Sequence, residues 1–338
     1  MKIVVLAGGV GGARFTLGLR EHLRATRPDA SVTVVVNTGD DLWLDGLRVC
    51  PDLDTVMYTL GDAIHPQQGW GRAQETTRVS AELDAYGIGW DWFTLGDLDL
   101  GTHIARSALL RSGLPLSAVT ARLCERWAPG VTLLPMSDDE VETHVEVELD
   151  GRVRLLHFEE WWVRLRAAVP ARRFVQVGVE SAVPAPGVLE AITAADVVLL
   201  PPSNPVVSIG TVLGVPGIRA ALAASRAPVV GVSPILGGRP VRGMADACLA
   251  AIGVPTTAAG VALHLGARND GGLLDGWLVD PVDTDALPRL AAAGITCRAL
   301  PLLMSPTTTG AIVAAALDLA TQTGRRGGPV ETGDGSTP

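Results

Sequence analysis

Lysine is almost missing from this chain. Lys2 is the only one in 338 residues, and every other basic side chain is arginine or histidine. A P-loop ATPase needs a lysine on the phosphates, and a pyridoxal enzyme needs one for its Schiff base. Neither can be built here. The four cysteines, Cys50, Cys124, Cys248 and Cys297, stand far apart with no C-x-x-C pair. That spacing excludes a cysteine zinc site or a disulfide framework and fits reduced thiols. The six histidines lack the H-E-x-x-H spacing of zinc proteases. No apolar run is long enough for a membrane span of about 20 residues. A net charge of -9 argues against nucleic acid as a partner, since that needs a basic face. The first residues, Lys2-Ile3-Val4-Val5-Leu6, are strand-like from the outset, so the expectation is a cytoplasmic protein without a signal peptide.

Hydrophobic residues make up 47% of the chain and charged residues 19%, too apolar for disorder. Residues 3–6, 8–12, 15–23 and 32–36 read as strand, glycine loop, helix and strand. Helical spacing dominates residues 73–86, 99–111 and 116–127. Residues 143–149 and 152–158 alternate around Asp150-Gly151, a β-hairpin signal. Strands then follow at 174–179, 197–200, 229–232, 277–279 and 296–300. Helices are expected at 217–224, 244–252, 286–293 and 310–320. The pattern predicts an α/β fold, Rossmann-like, with a mostly parallel sheet, helices on both faces, a smaller helical insertion and a β-hairpin. Residues 1–51 and 130–320 would form the discontinuous nucleotide-binding core, 52–129 the insertion and 321–338 a loose tail.

Three segments carry chemistry. Gly8, Gly9, Val10, Gly11 and Gly12, followed by Arg14, link the first strand to the first helix. Such a loop lets backbone N–H groups approach a phosphate, and Arg14 adds a charged fork. The plainer reading is a tight turn. A dinucleotide fingerprint fails, because Arg14 replaces the third glycine and Asn37 stands where an acid would hold the ribose.

The second segment type is aspartate-rich: Asp40-Asp41, Asp52 and Asp54, Asp97 and Asp99, Asp138-Asp139. Magnesium takes one or two carboxylates together with substrate phosphates. The alternative for a single aspartate is a helix cap, expected at Asp52 and Asp99. The third segment, residues 201–210, follows a strand and offers Ser203, Asn204 and Ser208. Ser233 follows the next strand in a similar loop, where Ile235 breaks a hydrolase nucleophile elbow. Aromatics are only 4% of the chain, yet they cluster: Trp43, Tyr58, Trp70, Trp90, Trp92, Phe93, Phe158, Trp161 and Trp162. Core packing is the default for each; Trp43 and Trp70, with Gly and polar residues nearby, offer a platform for a flat ring as the alternative.

The order of Gly8–Gly12, Asn37-Thr38-Gly39-Asp40-Asp41, residues 51–58, Gly96-Asp97, Leu134-Pro135-Met136-Ser137-Asp138-Asp139 and Pro202-Ser203-Asn204-Pro205 resembles the phospholactate transferase family of coenzyme F-420 biosynthesis. Residues 46–51 and 242–246 are similar to its actinobacterial, phosphoenolpyruvate-transferring branch. The resemblance implies a dimer that joins a guanosine-diphosphate-activated three-carbon acid to the deazaflavin Fo with Mg2+, releasing GMP. It implies nucleotide contacts at Gly8, Gly9, Val10, Gly11, Gly12, Ser203 and Asn204, to which the loops themselves add Arg14, Ser208 and Ser233 as candidates. Asp40 and Asp54 would be catalytic and hold the metal; Asp54, Thr94, Trp43 and Tyr58 would face Fo. Leu98 and Glu159 depart from the family pattern, which has Arg and Gln there. A nicotinamide oxidoreductase and a non-catalytic guanine-nucleotide-binding regulator are the alternatives.

Overall fold

A computed structural model describes residues 1–89 and 92–326. The chain begins β1 (Lys2–Ala7), α1 (Gly9–Thr26), β2 (Ser31–Val36), then the short antiparallel pair β3 (Leu42–Leu44) and β4 (Leu47–Val49). Helices α2 (Pro51–Leu60), α3 (Arg78–Ala85), α4 (Asp97–Arg111) and α5 (Leu116–Trp127) follow. Next come β5 (Thr132–Pro135), β6 (Glu142–Leu149), β7 (Arg152–His157), β8 (Ala171–Val177), α6 (Val188–Thr193), β9 (Val197–Leu200), α7 (Ile209–Gly214) and α8 (Ile218–Ala224). The last third holds β10 (Val229–Val232), the two-residue pair β11 (Ile235–Leu236) and β12 (Arg239–Pro240), α9 (Ala245–Ala251) and α10 (Ala258–Leu265). It closes with β13 (Gly276–Val279), α11 (Leu287–Ala292), β14 (Thr296–Ala299) and α12 (Thr309–Arg326).

Seven strands form one parallel sheet in the order β14-β13-β10-β9-β1-β2-β5. All four residues of β9, β10 and β13 are buried, as expected for strands covered on both faces. Along β1 the side chains alternate between two core layers. Val4 and Leu6 join the helices of the later half; Ile3, Val5 and Ala7 join the layer of α1, α2 and α12. From β1 the chain moves one way to β2 and β5, and later the other way to β9 and β10. The order therefore reverses between β1 and β9, and a crevice opens beyond their carboxyl ends.

Three expectations are corrected. The strand expected at 174–179 forms over Ala171–Val177 and does not join the parallel sheet but pairs antiparallel with β6, in the three-stranded sheet β7-β6-β8. The helix read from residue 73 forms only over Arg78–Ala85. Residues 321–326, expected to be a loose tail, continue α12, while 327–338 lie outside the described residues.

Candidate active site

The crevice is a cavity of about 850 Å³. The glycine loop and the carboxylates of Asp40, Asp52, Asp54 and Glu159 line it in part, and so do Trp70, Trp92, Phe93 and Trp162. A polar site and an aromatic surface thus share one space.

Backbone packing explains the glycines. Gly9 adopts φ +62°, a conformation a side chain disfavours. A Cβ on Gly11 would fall 2.2 Å from the carbonyl oxygen of Pro202, and one on Gly8 would fall 2.6 Å from Ser208 Cβ. The loop after β9 therefore presses on the loop after β1. Ser203 braces this contact: its Oγ donates to Gly8 O at 2.8 Å and accepts from Gly8 N at 3.1 Å. Asn204 Oδ1 accepts from Val206 N and Val207 N at 2.9 and 3.2 Å. Ser233 Oγ donates to Ile235 O at 2.8 Å. These three side chains sit in the cavity wall with polar atoms already engaged. Val10, Arg14 and Ser208 also line it, whereas Gly12 is packed beneath the loop.

Asp52 is not the cap of its own helix. It is the second residue of α2, and its Oδ1 accepts from Gly9 N at 2.7 Å, at the start of α1. Its Oδ2 accepts from Asn37 Nδ2 at 2.9 Å, and the same Nδ2 donates to Asp40 Oδ2 at 3.1 Å. One amide thus ties two buried carboxylates together. Burial raises the Asp40 carboxyl well above its usual range, with the charges of Asp52, Glu159 and Asp41 adding to the shift. Burial lifts Asp52 to about 6, held down by its bonds to Asn37 and Gly9. Glu159 rises to about 8 through burial and the nearby charges of Asp52 and Asp41.

Asp54 faces a different set. Arg106 grips it with both terminal nitrogens, Nη1 at 3.0 Å from Oδ2 and Nη2 in short contact with Oδ1. His103 Nδ1 lies 3.7 Å from Asp54, and His103 Nε2 lies 3.4 Å from Asp99 Oδ2. Tyr58 donates to Asp99 Oδ1 at 2.6 Å. Burial raises Asp54, with Arg106 and His103 opposing. Burial also works against the Arg106 charge, but the neighbouring Asp54 outweighs it and raises the guanidinium's pKa. The sequence reading does not single out Asp99, His103 and Arg106 as a set. Their spacing of four and three places them on one face of α4, a signal readable from sequence.

Two expected Fo contacts lie elsewhere. Strand β3 turns Leu42 and Leu44 inward and Trp43 outward, where its indole donates to Glu140 at 2.9 Å. Tyr58 is fully buried, edge-on to Trp127 at 5.2 Å. Neither lines the cavity, while Thr94 does. Trp90 lies outside the described residues.

The donors suit a divalent cation. Asp40 Oδ1 is buried without a partner, an oxygen ligand of the kind magnesium takes. Asp54, Asp99 and His103 also bring ligand atoms within 4.8 Å of one another. Nitrogen in that set suits softer divalent metals as well, and Arg106 already offsets the charge of Asp54.

Residues 3–295 match the model of the 2-phospho-L-lactate transferase CofD family. The phosphoenolpyruvate transferase of Streptomyces coelicolor is 64% identical over 305 residues, covering 90% of this chain and 93% of that protein. The phosphoenolpyruvate transferase of Thermobifida fusca is 62% identical, covering 95% and 98%. That of Mycolicibacterium smegmatis is 55% identical, covering 95% and 99%. A crystal structure of a UPF0052 family member from Bacillus halodurans shares the fold with TM-score 0.61 at 18% identity, covering 93% of this chain and 98% of that one. No helix among the described residues is long and apolar enough to cross a membrane. The chain is a transferase and belongs to the 2-phospho-L-lactate transferase CofD family.

Proposed function

We propose that the chain transfers a phosphoenolpyruvyl group, or the related phospholactyl group, from a guanosine-diphosphate-activated donor to the deazaflavin Fo, in coenzyme F-420 biosynthesis. The observation that carries this reading is the single cavity uniting a glycine loop and buried carboxylates with Trp70, Trp92, Phe93 and Thr94. The first group suits a diphosphate and the second a flat ring. The relatives' names supply the acid.

In this reaction the Fo side-chain hydroxyl attacks the phosphorus that carries the acid. A new P–O bond forms there, and the bond from that phosphorus to the bridging oxygen breaks. GMP leaves with the bridging oxygen, and the hydroxyl proton is released to water. Asp54 orients the attacking hydroxyl, and the glycine loop and Arg14 hold the diphosphate. Asp40 and Asp54 would hold Mg2+, whose charge offsets that of the diphosphate when bound. Catalysis is then positioning and electrostatics. A homodimer in the cytoplasm completes the proposal.

Fo, magnesium and enolpyruvyl-diphospho-guanosine should give the phosphoenolpyruvyl ester of Fo and GMP, read by mass spectrometry. Chelation of magnesium should stop the reaction. GMP release without an Fo adduct would indicate a hydrolase, and product from the phospholactyl donor alone would reassign the acid.

A further inference from the structure

Arg242 sits in the loop between β12 and α9, on the rim of the cavity. Its guanidinium lies over the Trp70 ring, 5.1 Å from the centroid. Its Nη2 makes a short hydrogen bond to the carbonyl oxygen of Gln68. Gly69 between these two residues is pressed onto the glycine loop: a Cβ there would lie 2.9 Å from Val10 Cγ1. On the other side the neighbouring Gly243, with φ +75°, packs against Trp162, where a Cβ would lie 2.9 Å from the ring. Arg242 is therefore held from both sides although it is exposed. Arg14 stands close enough for its charge to help lower the Arg242 pKa, after the effect of burial. Both line the cavity, and among the described residues no carboxylate forms an ion pair with either.

Two like charges at the mouth of a pocket repel one another, and an anion between them relieves that repulsion. With one face on Trp70 and Nη2 on Gln68, Arg242 has no hydrogen bond at Nε or Nη1 among the described residues. Those N–H groups and the positive charge are left for the oxygens of an anion such as a carboxylate. We propose that Arg242, braced by Trp70 and facing Arg14, is a specificity-determining residue that reads the carboxylate of the transferred acid. The proposal rests on the function given above and names the part of the donor that this rim recognises. That function gives the diphosphate to the glycine loop and Arg14, which leaves Arg242 for the group the diphosphate carries.

The test compares GDP, which carries the diphosphate and no acid, with enolpyruvyl-diphospho-guanosine, using titration calorimetry on the full chain. The native protein should bind the acid-bearing donor more tightly than GDP. Arg242→Met should weaken donor binding about tenfold and leave GDP binding unchanged, and Arg242→Lys should recover only part, since it keeps the charge but not the planar guanidinium stacked on Trp70. In turnover the loss should fall on KM for the donor, with kcat little altered, because the carboxylate is held alike before and during the reaction. Unchanged donor binding in Arg242→Met would overturn the proposal. Equal loss for GDP and donor would also overturn it, placing the arginine on the diphosphate. If the native chain binds neither nucleotide, the functional reading falls instead. Free phosphoenolpyruvate against inorganic phosphate then decides the arginine by the same criterion: loss of selectivity in Arg242→Met supports it, and retained selectivity overturns it.

Discussion

At the scale of single residues, two buried carboxylates that line the same cavity have opposite electrostatic surroundings. Asp54 has a cation of its own in Arg106, and both side chains are nearly inaccessible, at 4% and 1%. Breaking such a pair leaves one charge buried without compensation, which costs about 3–5 kcal/mol. Asp54→Asn is therefore expected to lose most turnover and also to destabilise the fold by roughly that amount. Replacing Arg106 with Met in the same chain should restore part of the stability and none of the activity. Urea unfolding with a turnover assay checks this. Full activity in Asp54→Asn would sink the role given to the carboxylate.

Among the described residues Glu159 has no such partner. Its carboxyl rises from 4.5 to about 8, and Asp52 from 3.8 to about 6. The folded chain thus holds protons that the unfolded chain has already released. Stability from these groups is complete at acid pH and falls as pH rises through that interval. Metal-free protein should melt at progressively lower temperature between roughly pH 5 and pH 8. Glu159→Gln should flatten the upper part of that slope and raise the melting temperature above pH 8. A variant whose slope matches the native chain would show that Glu159 titrates normally.

At the scale of elements, the loops after β1 and β9 are built to touch. The contact at Gly11 predicts that Gly11→Ala costs about 1–3 kcal/mol, as expected for overpacking. A Cβ on Gly101 in α4 would meet nothing within 4 Å. Gly101→Ala should therefore stabilise by about 0.5–1 kcal/mol through helix propensity and the unfolded chain's lost freedom. Chemical denaturation of both variants separates a packing requirement at position 11 from a general intolerance of glycine replacement.

Legibility from sequence follows the physics of each element. Strands β9 and β10 are readable because a strand covered on both faces is continuously apolar. Strand β5, at the sheet's edge, is short and ends in proline, and periodicity does not mark it. The β3–β4 pair escapes the reading although Asp45-Gly46 is a hairpin signal, and both residues adopt positive φ, 50° and 77°. The β8 strand has a strand's composition, but composition does not say which sheet a strand joins. Within the cavity wall, the glycine loop and Asp40 are legible from their place after a strand. Glu159 enters only through folding, since the segment after β7 reaches the site from far along the chain; the shared α4 face of His103 and Arg106 is readable from spacing, but which site that face meets is not.

At the scale of the whole molecule, the reversal of strand order between β1 and β9 decides where a ligand can enter. A nicotinamide dinucleotide would use that crevice too, so the discrimination lies in the residue just after β2. An acidic residue there would receive the ribose. This chain has Asn37, whose amide nitrogen is spent on Asp40 and Asp52 and whose Oδ1 accepts from Gly39 N at 2.9 Å. The place for the ribose hydroxyls is closed by the protein's own bonds. Guanine nucleotide with magnesium should therefore raise the melting temperature, and NAD should not. At a hundredfold excess over Kd the stabilisation is about 2.7 kcal/mol, a shift of a few degrees for a chain of this size. A thermal shift series with GDP, GDP plus chelator, and NAD makes the comparison directly. A larger shift with NAD than with GDP would overturn the assignment of the crevice. No shift with GDP and magnesium would remove the nucleotide from the reading altogether.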